Sequence, residues 1–183
     1  MAEIGISVVG FAGSINEASQ LAAKEVGDII ARRGLNLVCG GMGGVMAASC
    51  EGFKQVEGAP GKTIGYLPFY DFADANPWVD IVLPTGLDIG RNQLVVAAGR
   101  ALVAIGGGAG TLSEIALAGQ LGKPIGLVTW CGGWSAQLEE GFIDHRKKSY
   151  LKLLNSTKEV EVFINDCLSY QPKVESINAW HDR

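Results

Sequence analysis

One unit recurs along the chain: a short, nearly uninterrupted apolar run, then a turn crowded with glycine, then a segment of helical periodicity. Ile4 to Val9 leads into GFAGS, Leu35 to Cys39 into GGMGG, and Ala101 to Ile105 into GGGAGT. A strand without polar alternation has to be covered on both faces, the situation of a parallel strand between two layers of helices. The helical segments supply those layers. After the first turn, Ala18, Leu21, Ala22, Glu25, Val26 and Ile29 fall at helical spacing, Arg32 and Arg33 complement the negative end of the helix dipole, and Gly34 supplies the stop. After the second turn, a helix over about 44–56 brings Val45, Ala48, Gly52 and Phe53 to one face.

The alternation continues. Thr63 to Leu67 and Val79 to Leu83 read as strands, separated by the loop PFYDFADANPW from Pro68 to Trp78. Its Phe69, Tyr70, Phe72 and Trp78 suit core or interface better than a substrate platform. Asp88 to Arg100 reads as a helix with Asp88 as N-cap, and Leu112 to Leu121 as the helix after GGGAGT. Pro124 to Thr129 and Tyr150 to Leu154 read as strands and Thr157 to Leu168 as a last helix, while the CGGW segment gives no clear pattern. The prediction is a single Rossmann-like, doubly wound α/β domain over residues 1–170, its mainly parallel sheet covered by helices on both faces, with a tail at 171–183. Ligands of such sheets bind beyond the carboxyl ends of the strands, where all three glycine turns fall.

Composition narrows the partners. The 183 residues include 26 glycines, about twice the usual share, without a collagen-like period. Hydrophobic and charged contents of 48% and 19% suit one globular domain, and a net charge of -4 gives no footprint for nucleic acid. Cys39, Cys50, Cys131 and Cys167 lack CxxC spacing, and His145 and His181 stand apart, so reduced structural thiols and no protein-coordinated metal are expected. The first residues lack the basic flank of a signal peptide, and the apolar stretch Ala101 to Ala118 is broken by glycines and Glu114. The expected location is cytoplasmic, with no membrane partner.

An anionic ligand must then be held by local features. In GGGAGT, the backbone of Gly107, Gly108, Ala109 and Gly110 can present N–H groups to a phosphate at a helix start, and Thr111 adds a hydroxyl. GGMGG repeats the arrangement with Gly40, Gly41, Gly43 and Gly44, and Gly10, Gly13 and Ser14 offer a third wall. The plain alternative is that these glycines only permit tight turns and close packing. Neither turn carries the dinucleotide fingerprint, because Met46 and Ser113 occupy the place of the third glycine. Gly61-Lys62-Thr63 is not a P-loop, since Val56 stands where the first glycine belongs and a strand follows. Glu114 reads either as a carboxylate favoured in the first turn of a helix or as a ribose-hydroxyl acceptor or general acid or base. Arg91 reads either as a surface arginine or as a planar fork for phosphate.

GGGAGTLSE from Gly106 to Glu114, GRN from Gly90, and the stretches CGGMGGVM and DIGRNQLVVAAGRALVAIGGGAGTLSEIALA together resemble the LOG-like superfamily, formerly called lysine decarboxylase-like. Its hallmark is PGGxGTxxE after a strand, with an arginine on an upstream helix. The resemblance covers roughly residues 4–129 and points to the branch holding the molybdenum cofactor carrier proteins and their bacterial and archaeal relatives. It implies a homodimer or higher homo-oligomer.

The wider family contains cytokinin-activating phosphoribohydrolases, which release a base from a nucleoside 5′-monophosphate. That resemblance implies catalytic roles for Glu114 and Arg91, with Gly107, Gly108, Gly110 and Thr111 holding the phosphate. The chain departs from the hydrolases at Gly106, where they carry proline, at Asn92, where they carry lysine, and at Gly90 and Ile89, where they carry a glutamic acid and a histidine. Loss of the lysine removes a point charge from the phosphate and base neighbourhood. The resemblance therefore implies first a carrier that stores or protects molybdenum cofactor, an anionic pterin with a terminal phosphate, without ligating its metal. Nucleoside-monophosphate hydrolysis is the alternative, and a purely structural module is a third.

Overall fold

The computed structural model describes residues 5–169. Strand β1 (Gly5–Gly10) shows the organising pattern: Ile6 and Val8 enter one core while Val9 enters the other, all at 2% exposure or less. Helix α1 (Glu17–Arg32) starts at Asn16, whose side chain accepts from the Ser19 N–H at 2.8 Å. It ends where Gly34 turns to a φ of +67° and the Gly34 and Leu35 N–H groups bond back to the Ala31 and Ile30 carbonyls. Strand β2 (Asn36–Cys39), helix α2 (Val45–Lys54) and strand β3 (Thr63–Leu67) follow as the apolar pattern predicts.

The chain continues through β4 (Ile81–Pro84), α3 (Asn92–Ala98), β5 (Ala101–Ile105), α4 (Ala109–Gln120), β6 (Ile125–Val128), α5 (Gly133–Gln137), β7 (Gly141–Phe142), β8 (Tyr150–Leu154) and α6 (Thr157–Ser169). The sheet order is β4-β3-β2-β1-β5-β6-β8-β7, parallel throughout except for the antiparallel edge strand β7. The chain winds outward from β1 to β4, returns to lay β5 on the other side of β1 with Ile105 opposite Gly10, then winds outward again. That reversal opens a crevice at the carboxyl ends of β1 and β5. One core packs α1, α2 and α6 on the sheet through residues such as Val26, Ile30, Phe53 and Ile164; the other packs α3 and α4 through Val95, Val96, Ile115 and Ala118.

Four features depart from the sequence expectation. The helix predicted from Asp88 is a 3₁₀ turn, Asp88–Arg91, followed by the shorter α3. Asp88 does not cap it: Leu87 holds the N-cap position without a side-chain bond, and Asp88 itself adopts a φ of +48°. Helix α4 begins at Ala109 instead of Leu112, which moves Glu114 from the first turn to the second and removes the helix-start reading of its charge. The fourth strand is shifted to Ile81–Pro84, and the unpatterned CGGW region forms a 3₁₀ turn, α5 and β7. In the aromatic loop, Trp78 packs on the core, whereas Phe69, Tyr70 and Phe72 are exposed. The predicted tail at 171–183, with His181, lies outside the described residues.

Candidate functional site

The start of α4 is built to stay open. Gly106 and Gly107 turn the chain at φ values of +63° and +94°, and a Cβ at Gly107 would overlap the Thr111 side chain. No side chain caps the helix, whose N-cap is Gly108. Among the described residues nothing accepts from the N–H groups of Ala109, Gly110 and Thr111, and the hydroxyl of Thr111, a residue 3% exposed, makes no hydrogen bond where it meets the cavity. The turn is braced from behind by α5. Ser135, fully buried, accepts from the Gly106 N–H at 2.8 Å and donates to the Val128 carbonyl at 2.6 Å. The Trp134 and Ser135 N–H groups bond to the Gly107 and Gly106 carbonyls.

Beside this helix start, Arg91 and the Glu114 of the second turn of α4 form a largely buried ion pair. Arg91 Nη1 lies 3.6 Å from Glu114 Oε1, with side-chain exposures of 11% and 7%. The separation exceeds a hydrogen bond, and among the described residues neither side chain makes one. The guanidinium rests against the Gly40 backbone, where any Cβ would overlap it. Burial pushes the Glu114 carboxyl up to about 7, and Arg91 pulls it the other way. Arg91, Glu114, Gly40, Gly108, Gly110 and Thr111 line one cavity of about 270 Å³, together with Val8, Val9 and Gly10 of β1 and with Phe11, Ala12, Met46 and Asn92.

The other residues singled out in the sequence fall around this cavity. Gly41 is buried against Leu67 and Gly65, and Gly44 packs against the Phe11 carbonyl, which accepts from the Val45 N–H at 2.9 Å. The start of α2 is thus partly satisfied from within, unlike that of α4. Gly43, Gly13 and Ser14 are exposed and do not line the cavity, nor do Gly107 and Ala109. Below the second turn, Cys39 Sγ lies 3.7 Å from Cys50 Sγ and accepts from the Gly41 N–H at 3.3 Å. The hydrogen bond from Cys50 holds the Cys39 thiol below its ordinary value and pushes Cys50 above. All four cysteines are free and buried, and among the described residues no group of three or more His, Cys, Asp or Glu side chains is placed to hold a metal ion.

Three contributors escaped the sequence reading. Phe11 follows β1 directly and places its ring beside Gly106 and Gly108, 38% exposed at the cavity. Asn92 donates to Ser113 Oγ at 3.0 Å, and Ser113 donates to the Gly110 carbonyl at 2.6 Å, tying α3 to the first turn of α4. Ser135 carried no signal beyond its place after two glycines and a tryptophan. Phe11 had one, since it interrupts the small residues of GFAGS. A larger groove of about 650 Å³ between α6 and β8 is mostly apolar and holds no buried charge pair like that of the crevice.

A sequence profile of the SLOG cluster4 family matches residues 3–163. An uncharacterised protein of Archaeoglobus fulgidus is 39% identical over 120 residues, 66% of this chain and 76% of its own length. Among solved structures, the molybdenum cofactor binding protein of Rippkaea orientalis is similar with a TM-score of 0.79 and 29% identity, over 92% of this chain and 99% of that one. The molybdenum cofactor carrier protein of Chlamydomonas reinhardtii is similar with a TM-score of 0.75 and 27% identity, over the same shares, 92% and 99%.

Proposed function

This chain belongs to the SLOG cluster4 family, and from that premise we propose that it binds an anionic, phosphorylated small molecule of the molybdenum cofactor type in the crevice between β1 and β5, as a carrier. The observation that carries this reading is the open start of α4 beside an arginine whose side chain is 11% exposed and makes no hydrogen bond among the described residues. The N–H groups of Ala109, Gly110 and Thr111 and the Thr111 hydroxyl receive the phosphate. Arg91 offers its planar fork to an anionic oxygen, and Phe11 gives a flat wall for a ring. Such a cofactor needs no metal ligand from the protein in order to be held at its phosphate. The cavity of about 270 Å³ lies just under the range of about 300–1,000 Å³ usual for small-molecule sites, so the ligand extends past Ala12 toward Gly13, Ser14 and Gly43. Likeness at 29% and 27% identity to proteins that bind or carry this cofactor supports the same class of ligand.

The proposal includes a homodimer in the cytoplasm. Phe69, Tyr70, Phe72, Leu87 and Ile89, on the segments that flank the edge strand β4, are large apolar side chains left exposed, and exposed apolar side chains gathered on one side suit a contact with a second copy. Four free thiols suit a reducing compartment.

One observation favours the hydrolase as a second reading: the Glu114 carboxyl, raised to about 7 at the cavity, has the proton affinity of a general acid. Incubation with AMP and cytokinin monophosphates separates the two. The carrier reading predicts a raised melting temperature without release of free base. Base release that disappears in Glu114→Ala would establish the hydrolase instead.

A further inference from the structure

An oxyanion entering the crevice meets Arg91 already committed, at 3.6 Å, to a carboxylate that has no other partner among the described residues. Both side chains are close to nine-tenths buried, so little water remains to screen a second negative charge. We propose that Glu114 joins the binding site as a neutral acid: an oxyanion that docks on Arg91 draws a proton onto Glu114, so the site takes up anion and proton together and favours ligands with an oxygen that accepts from the new carboxylic O–H. This deepens the anion-binding reading and rests on it. The balance is simple: one proton from solvent adds to a Glu114 oxygen, and no other bond is made or broken.

The surroundings leave few rivals for that proton. From α3 and the turn before it, only Arg91 faces Glu114; from β2, only the Cys39 thiol carries an ionisable group near both; β1 contributes none; and α4 carries no other charged side chain. The ligand-free carboxyl, held at about 7 mainly by burial, places the coupling in an accessible pH range.

Inorganic sulfate is the probe, because it does not itself titrate between pH 6 and 9. Calorimetric titration at pH 8 in two buffers of different ionisation enthalpy is expected to show uptake approaching one proton per sulfate. The affinity should fall by up to about tenfold per pH unit between pH 7 and 9. Glu114→Gln should flatten that dependence, and Cys39→Ser should keep it. Sulfate binding with no proton uptake, or a slope that persists in Glu114→Gln, overturns the coupling and leaves the anion site standing. No sulfate binding even at pH 6 overturns the anion-binding reading and the coupling with it. Because uptake is read on the unaltered chain, the result stands even if the variant fails to fold.

Discussion

At the residue scale, Glu114 and Arg91 carry the account. The folded-state carboxyl lies above its ordinary 4.5, so between about pH 4.5 and 7 the folded chain holds a proton that the unfolded chain has lost. Stability from this group is therefore present in full below that window and declines by about 3 kcal/mol as pH rises through it. The melting temperature of the unaltered chain minus that of Glu114→Gln should fall between pH 5 and 8, and a constant difference would contradict the burial argument. Arg91→Lys should weaken oxyanion binding by about tenfold or more, because an ammonium cannot offer the bidentate fork; competition by sulfate measures it. Both residues were legible as candidates from GRN and GGGAGTLSE. Their burial and mutual contact were not, because the α4 helix starts three residues earlier than its apolar periodicity shows. That start has no polar capping residue to announce it, only glycine.

At the scale of elements, α1 and α2 approach so closely that a Cβ on Gly27 would overlap the Ser49 carbonyl oxygen, and one on Gly52 the Lys24 carbonyl oxygen. Gly27→Ala should destabilise by about 1–3 kcal/mol despite better helix propensity, since backbone atoms cannot yield as a flexible side chain can. For a chain of this size that lowers the melting temperature by about 2–4 °C per kcal/mol, read by calorimetry. Ser135→Ala tests the brace behind the glycine turn. It leaves the Gly106 N–H without its partner, at about 1–3 kcal/mol, and should weaken anion binding at α4 as the turn loosens. The longer elements could be read from the sequence because doubly covered strands are apolar throughout and α1 has both a cap and a glycine stop. The short α5 and β7 could not, since five and two residues carry no period. The region before α3 differs from its pattern for another reason: backbone turned to positive φ at Gly86 and Asp88 replaces the regular first turn that an Asp88 N-cap would start.

At the scale of the whole molecule, the order of strands decides what the glycines mean. The sheet reverses between β1 and β5, so the turns after β1, β2 and β5 converge, yet only parts of each line the cavity. Convergence at one rim could be anticipated from the alternating pattern. The division of labour, with α4 open and α2 partly satisfied by the Phe11 carbonyl, depends on how the turns pack on one another. The exposed apolar surface beside β4 belongs to this scale as well. Ile89→Asp, at a residue 80% exposed, should shift the proposed dimer toward monomer in sedimentation, and an unchanged profile would contradict a dimer formed through this surface. The central claim, an anionic cofactor held at the start of α4, is tested most directly by cofactor retention. Unaltered protein and Gly108→Asp are each mixed with excess molybdenum cofactor, passed through gel filtration, and assayed for retained pterin and metal. The added Cβ makes only ordinary contact, 3.9 Å from the Phe11 ring, so the variant should keep its fold while its carboxylate repels the phosphate. Retention by the unaltered chain and loss in the variant are expected; no retention by either, or equal retention by both, would contradict an anionic cofactor site at the start of α4.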